Sequence, residues 1–208
     1  QFYFVFASDF LTQFQAGAAG FVEKVNSIFG VGGGGLMTIG QMAEIGVLAL
    51  IPLFAKRFSR KALLCAGIVA YTLRMFLFSY GPGFPEALQL PAIILGIALH
   101  GMCFGCFIFV AFMVVDEECA GDVRASAQSL FNLVIVGIGI IVGSKIAGYV
   151  AEISTIDDVM NYTKLFSIPM WAGLGCLAIM LVAYPNRPVT AGADADPDEP
   201  ENQETDDD

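Results

Sequence analysis

Gln41 and Glu44 lie three residues apart inside an apolar run over residues 34–55, within Gly40-Gln41-Met42-Ala43-Glu44. A helix places residues three apart on one face. A run of about twenty apolar residues crosses the hydrocarbon layer of a bilayer, and Glu44 falls near its middle. A carboxylate there costs roughly 2.5–3.5 kcal/mol unless it faces protein or water. The pair therefore reads as a functional site: an acceptor carboxylate beside an amide that both donates and accepts. A structural contact between helices is the competing reading.

Other polar groups fall in apolar runs. His100, the single histidine, lies mid-span. It reads either as a proton switch or as a hydrogen-bonded packing residue. Phe104 stands one helical turn further along the same face, a position that suits core or lipid. Arg74 lies about two turns from a span end, either snorkelling or held in a buried structural pair. Lys145 is close enough to a span end to snorkel. Cys103-Phe104-Gly105-Cys106 is a CxxC with no second pair of ligands nearby, so the cysteines read as small packing residues. Gly30, Gly32 and Gly35 spell GxGxxG without a βαβ unit, which argues against a dinucleotide site. No Ser/His/Asp set, HExxH or Walker sequence lies in the spans, so an enzyme is not expected.

Composition fixes the medium in which these groups work. The chain is 56% hydrophobic and 14% charged, with mean hydropathy +0.70. That is far from a soluble domain's balance. Of the twenty acidic residues, nine lie after residue 193, so the remainder is nearly neutral, and no basic patch suggests nucleic acid. The pattern predicts an all-α membrane protein with complete spans over 34–55, 62–80, 88–115, 123–151 and 164–184. A half-helix before residue 12 precedes them, which reads as a C-terminal piece of a longer chain. Polar loops are expected over 12–33 and 154–161, with Asp122 as an N-cap and a Pro52 kink. Gly137, Gly139, Gly143, Ser144 and Gly148 suggest close helix contact. Residues 1–185 form one membrane domain, and 186–208 an acidic disordered tail. Lys56, Arg57, Arg60, Lys61, Arg124 and Arg187 lie on one side and Lys24 and Lys164 on the other. This asymmetry predicts a cytoplasmic tail.

Several stretches together resemble the nucleoside:proton symporter family of the major facilitator superfamily, in its C-terminal half. They are Gly40-Gln41-Met42-Ala43-Glu44, Lys56-Arg57-Phe58, the segment from Leu73-Arg74-Met75 to Ser79-Tyr80-Gly81, Leu99-His100-Gly101-Met102-Cys103-Phe104, and Asp122-Val123-Arg124-Ala125-Ser126-Ala127-Gln128. The resemblance implies helices seven (partial) to twelve of a twelve-helix transporter. It also implies a missing N-terminal half as partner and a central cavity that alternates its access. It implies that Gln41, Glu44 and Gln1 bind nucleoside and that Phe104 stacks on its base. Glu44, with His100 behind it, is then the candidate for proton coupling, and Arg74 and Arg124 are structural charges. No cofactor is implied. The driving force is a proton gradient across the cell (inner) membrane. Phe4, Gly105, Val110 and Phe112 replace residues that are polar or acidic in the family. Two alternatives remain: a transporter of a sugar or another small polar metabolite, and a non-transporting membrane receptor or scaffold.

Overall fold

The computed structural model describes residues 2–15 and 36–185. Six helices carry the fold: α1 (Phe2–Gln15), α2 (Met37–Arg57), α3 (Arg60–Tyr80), α4 (Glu86–Glu118), α5 (Arg124–Ser154) and α6 (Tyr162–Ala183). The last five are long and apolar enough to cross a membrane. At 1.5 Å rise per residue, even the shortest runs about 31 Å, the hydrocarbon thickness.

Local chemistry explains several helix ends. Ser59, in extended backbone, accepts a hydrogen bond from the Ala62 N–H at 3.2 Å and opens α3. Asn161 does the same for α6, accepting from the Lys164 N–H at 3.0 Å. Each cap satisfies one of the orphan donors of a first turn. The Lys61 Nζ donates to the carbonyls of Leu181 and Tyr184, both at 2.7 Å. It thereby ties the start of α3 to the open carbonyls at the end of α6.

Where the structure departs from sequence expectation, a physical reason is visible. Helix α1 continues through Gln15, past the expected stop near residue 11; the Thr12 hydroxyl donates to the Asp9 carbonyl at 2.6 Å inside the helix. Asp122 does not cap α5. Val123 occupies that position in near-helical backbone, and no side-chain cap bond forms. The segment expected as a loop at 154–161 contains a small antiparallel hairpin, β1 (Thr155–Ile156) with β2 (Val159–Met160). Its tight turn places Asp157 and Asp158 at φ of 49° and 61°, a left-handed conformation that Asp tolerates better than most residues. At Gly137 and Gly148 of α5 no other helix comes close among the described residues. A Cβ at Gly148 would meet nothing within 4 Å, and one at Gly137 would meet only Leu133 of the same helix. Only 6% of the apolar stretch of α5 is buried, against 56% for α3. The GxGxxG residues, Gln1 and the acidic tail lie outside the described residues.

The main core joins α1, α3, α4 and α6 through Phe10, Met75, Phe78, Ile97 and Phe166. A second cluster of Ile51, Leu63, Leu64, Cys106 and Val110 closes the other end. Between them α2 lies on α4 at very short range. A Cβ on Gly101 would stand 2.4 Å from the carbonyl carbon and oxygen of Ala43 and 2.6 Å from the Glu44 nitrogen. Only glycine lets two helix backbones approach so closely. Gly101→Val is expected to lower stability by about 1–3 kcal/mol through overpacking. Gly46→Ala, whose Cβ meets nothing within 4 Å, is expected not to lower it. Thermal melting of the two detergent-solubilised variants checks both.

Candidate functional site

The glycine contact determines which side chains meet. Gly101 holds α4 against the backbone of Ala43 and Glu44, and the Cβ of the preceding residue, His100, faces Gly40 across the same contact. The side chains that leave this crossing are therefore Glu44 from α2 and His100 from α4. His100 Nε2 stands 3.5 Å from Glu44 Oε2. The Glu44 side chain is 23% exposed and that of His100 10%, so the carboxylate is partly open and the imidazole is the more enclosed of the two. Gln41, one turn before Glu44 on α2, is exposed on the open side.

Beneath the imidazole lies a buried cation. Arg74, 2% exposed, reaches from α3, and its Nη1 donates to His100 Nδ1 at 3.0 Å. The guanidinium carbon lies 3.3 Å from the Tyr3 ring centroid and 5.5 Å from that of Phe78, so aromatic faces supply attraction that a carboxylate would otherwise supply. Nε and Nη2 find no hydrogen-bond partner among the described residues. Of the two sequence readings for Arg74, snorkelling is ruled out: the side chain points inward and is held in a buried pair with His100.

Aromatic rings wall the pocket. Tyr3 and Phe4 of α1 lie 5.1 and 5.7 Å from the His100 ring, centroid to centroid. Phe104 lies 6.3 Å away and is half-buried. At Phe104 the α4 helix widens into a π-helical segment, Phe104–Phe109. Such widened turns occur often at functional sites, and residue types alone did not announce this one.

Three of the four positions that depart from the resemblance, Gly105, Val110 and Phe112, have packing explanations. A Cβ at Gly105 would stand 2.7 Å from Val47 Cγ1, so an acidic side chain there would collide with α2 at its present distance. Val110 is buried in the second core cluster. Phe112 packs edge-on against Phe131 at 4.9 Å. Phe4 stays 62% exposed on the pocket side.

Charges also gather at the helix ends that follow α2 and α4. Arg60 pairs with Glu117 and lies 3.6 Å from Glu118, and Arg124 Nε lies 3.6 Å from Asp116 Oδ1. Gln128 Nε2 donates to the Phe112 carbonyl at 3.1 Å, tying the start of α5 to the end of α4. Arg124 thus belongs to an end cluster, far along α4 from His100, and Lys145 is exposed on α5.

The chain matches the sequence profile described as nucleoside H+ symporter over residues 1–188. It belongs to that family. It is 32% identical over 167 residues to xanthosine permease of Escherichia coli, covering 79% of this chain and 38% of the permease. It is 31% identical over 133 residues to nucleoside permease NupG of the same organism, covering 64% and 31% respectively. A crystal structure of a NupG mutant superposes with a TM-score of 0.73 at 26% identity, over 86% of this chain and 43% of NupG. The chain thus spans less than half the length of these relatives. The architecture is that of about half of a major facilitator transporter, an all-α, multi-pass membrane protein.

Within this member of the family the imidazole has a structural share as well. His100→Ala removes the acceptor of a buried guanidinium and is expected to cost about 1–3 kcal/mol. Gln41→Ala, at an exposed position, is expected to stay within about 0.5 kcal/mol. Thermal melting separates the two.

Proposed function

We propose that this chain forms the C-terminal half of a proton-coupled nucleoside importer that works by alternating access. The observation that carries the proposal is the Glu44 carboxylate, partly exposed at mid-helix and 3.5 Å from His100, whose ring lies 6.3 Å from that of Phe104. A nucleoside offers complementary chemistry. Its ribose hydroxyls donate to a carboxylate, and its base edge offers groups that a Gln41 amide satisfies in both senses. Its base presents a flat face to Phe104, as aromatic stacking requires. Gln1, which the family resemblance assigns to the solute, would add a further amide.

The pocket has walls on one side only. Gln41 is exposed and Glu44 partly so, and only 6% of the apolar stretch of α5 is buried. A second six-helix half, packed over α2 and α5, would close the cavity and let it open alternately to the two sides. The relatives' names, xanthosine permease and nucleoside permease, point to the same solute class. The basic residues after α2 and those at the start of α5 share an end, which supports a cytoplasmic placement of that end and of the tail in the cell inner membrane.

For the coupled proton, Glu44 is the proposed carrier. It is the partly exposed carboxylate beside His100, and once protonated it would gain an O–H donor while its other oxygen still accepts from the ribose. Binding and proton uptake would thereby be linked at one atom pair.

The test is uptake of labelled uridine and adenosine by cells expressing the whole transporter, with and without an imposed proton gradient. Nucleoside uptake that sugars do not compete away is expected. Glu44→Gln is expected to abolish its dependence on the gradient and to raise KM about tenfold or more, the scale of one charged hydrogen bond. Competition by sugars would favour a sugar carrier. Gradient dependence that survives Glu44→Gln would remove Glu44 as the carrier.

A further inference from the structure

Arg74 lies 26 positions before His100 in sequence and is fully enclosed, yet it touches the one imidazole of the chain at the nitrogen facing away from Glu44. Guanidinium has only donors and stays protonated in proteins. Its Nη1–H therefore requires a lone pair on His100 Nδ1, which leaves the imidazole hydrogen on Nε2. That nitrogen is the one 3.5 Å from Glu44 Oε2. A hydrogen bond at one ring nitrogen determines what the other presents.

We propose that Arg74 is a positioning residue: it locks His100 as the Nε2–H tautomer, so that the imidazole presents a donor to Glu44 and holds one carboxylate oxygen while the other stays free for solute. This deepens the nucleoside reading and rests on it for the solute only. Arg74 works through His100, without touching solute.

The surroundings of His100 support the assignment. The groups that face it are Glu44 from α2, Arg74 from α3 and the rings of Tyr3 and Phe4 from α1, with Phe104 on its own helix. The titratable groups around Arg74 itself are Tyr3, Tyr71 and Cys103, none of them a carboxylate. The guanidinium, 2% exposed, cannot swing out to water from this burial. The Tyr3 face above it and the Phe78 ring beside it hold the plane in place.

One consequence concerns specificity. With Oε2 engaged by Nε2–H, Glu44 offers Oε1 to a donor on the solute. A ribose hydroxyl fits that role, and a second carboxylate on the solute does not. The pocket would thus take neutral nucleosides and reject solutes that bring an anion to this spot.

The experiment is nitrogen NMR of the whole transporter, labelled with 15N-histidine in lipid nanodiscs, the His100 signals being assigned by their loss in His100→Gln. The expected wild-type spectrum shows a protonated Nε2 and an unprotonated, hydrogen-bonded Nδ1. A proton on Nδ1 overturns the proposal without any need for a variant at Arg74. Arg74→Met is expected to release the imidazole into a mixture of tautomers, and Arg74→Gln, which retains an N–H donor, to restore the single form. If Arg74→Met does not fold, the wild-type spectrum and Arg74→Gln still decide the point. An unchanged spectrum in Arg74→Met overturns the lock. In uptake, Arg74→Met is expected to raise uridine KM by roughly five- to thirtyfold with little change in kcat, the scale of one lost charged hydrogen bond. Arg74→Gln is expected to recover most of that loss. Loss of kcat alone, with KM unchanged, would mean a general packing role and count against the proposal. The spectrum is read without transport, so its failure leaves the nucleoside reading standing. A wild-type transporter that takes up no nucleoside would overturn that reading while leaving the tautomer assignment intact.

Discussion

Two helix backbones touch at Gly101, and much of the site follows from that contact. With Gly101 pressed on Ala43 and Glu44, the side chain at 44 emerges beside the side chain at 100. Gly40 meets the Ile97 carbonyl and His100 on the same seam, and Gly105 meets Val47. Three glycines along one seam bring polar groups within reach that ordinary interhelical spacing of about 8–10 Å would separate.

A charge so placed needs partners, and this fold supplies unusual ones. Arg74 is surrounded by an imidazole nitrogen and the faces of Tyr3 and Phe78. A carboxylate counter-ion would neutralise the pair and leave nothing to act on the pocket. An imidazole instead passes the effect on, because a cation at Nδ1 determines what Nε2 can do. The short aromatic α1 therefore contributes to the pocket twice, as a wall through Phe4 and as a cover for the cation through Tyr3.

What sequence could show follows from the length scale of each signal. Apolar runs with polar ends located five spans to within a few residues. The spacing of Gln41 with Glu44, and of His100 with Phe104, placed each pair on one helix face. Contacts between helices were harder to see. Nothing in the local pattern links Arg74 to His100, or Gly101 to Ala43, since these pairings depend on how α2, α3 and α4 cross. The widened turn at Phe104 and the hairpin at Thr155–Met160 depend on packing and on two left-handed Asp residues, which leave little trace in periodicity. Gly137 and Gly148 of α5 lie where no other described helix comes close, so the small-residue pattern was visible there but not what it packs against.

The central claim is that Gln41 and Glu44 border a water-filled pocket that a nucleoside enters. Cysteine accessibility tests it most directly. In a whole transporter whose native cysteines, the five of this chain among them, are replaced, a single Gln41→Cys thiol should react with a water-soluble maleimide, and uridine should slow that reaction. A thiol at position 41 that reacts only with lipid-soluble reagents, or at a rate uridine does not change, would contradict the account.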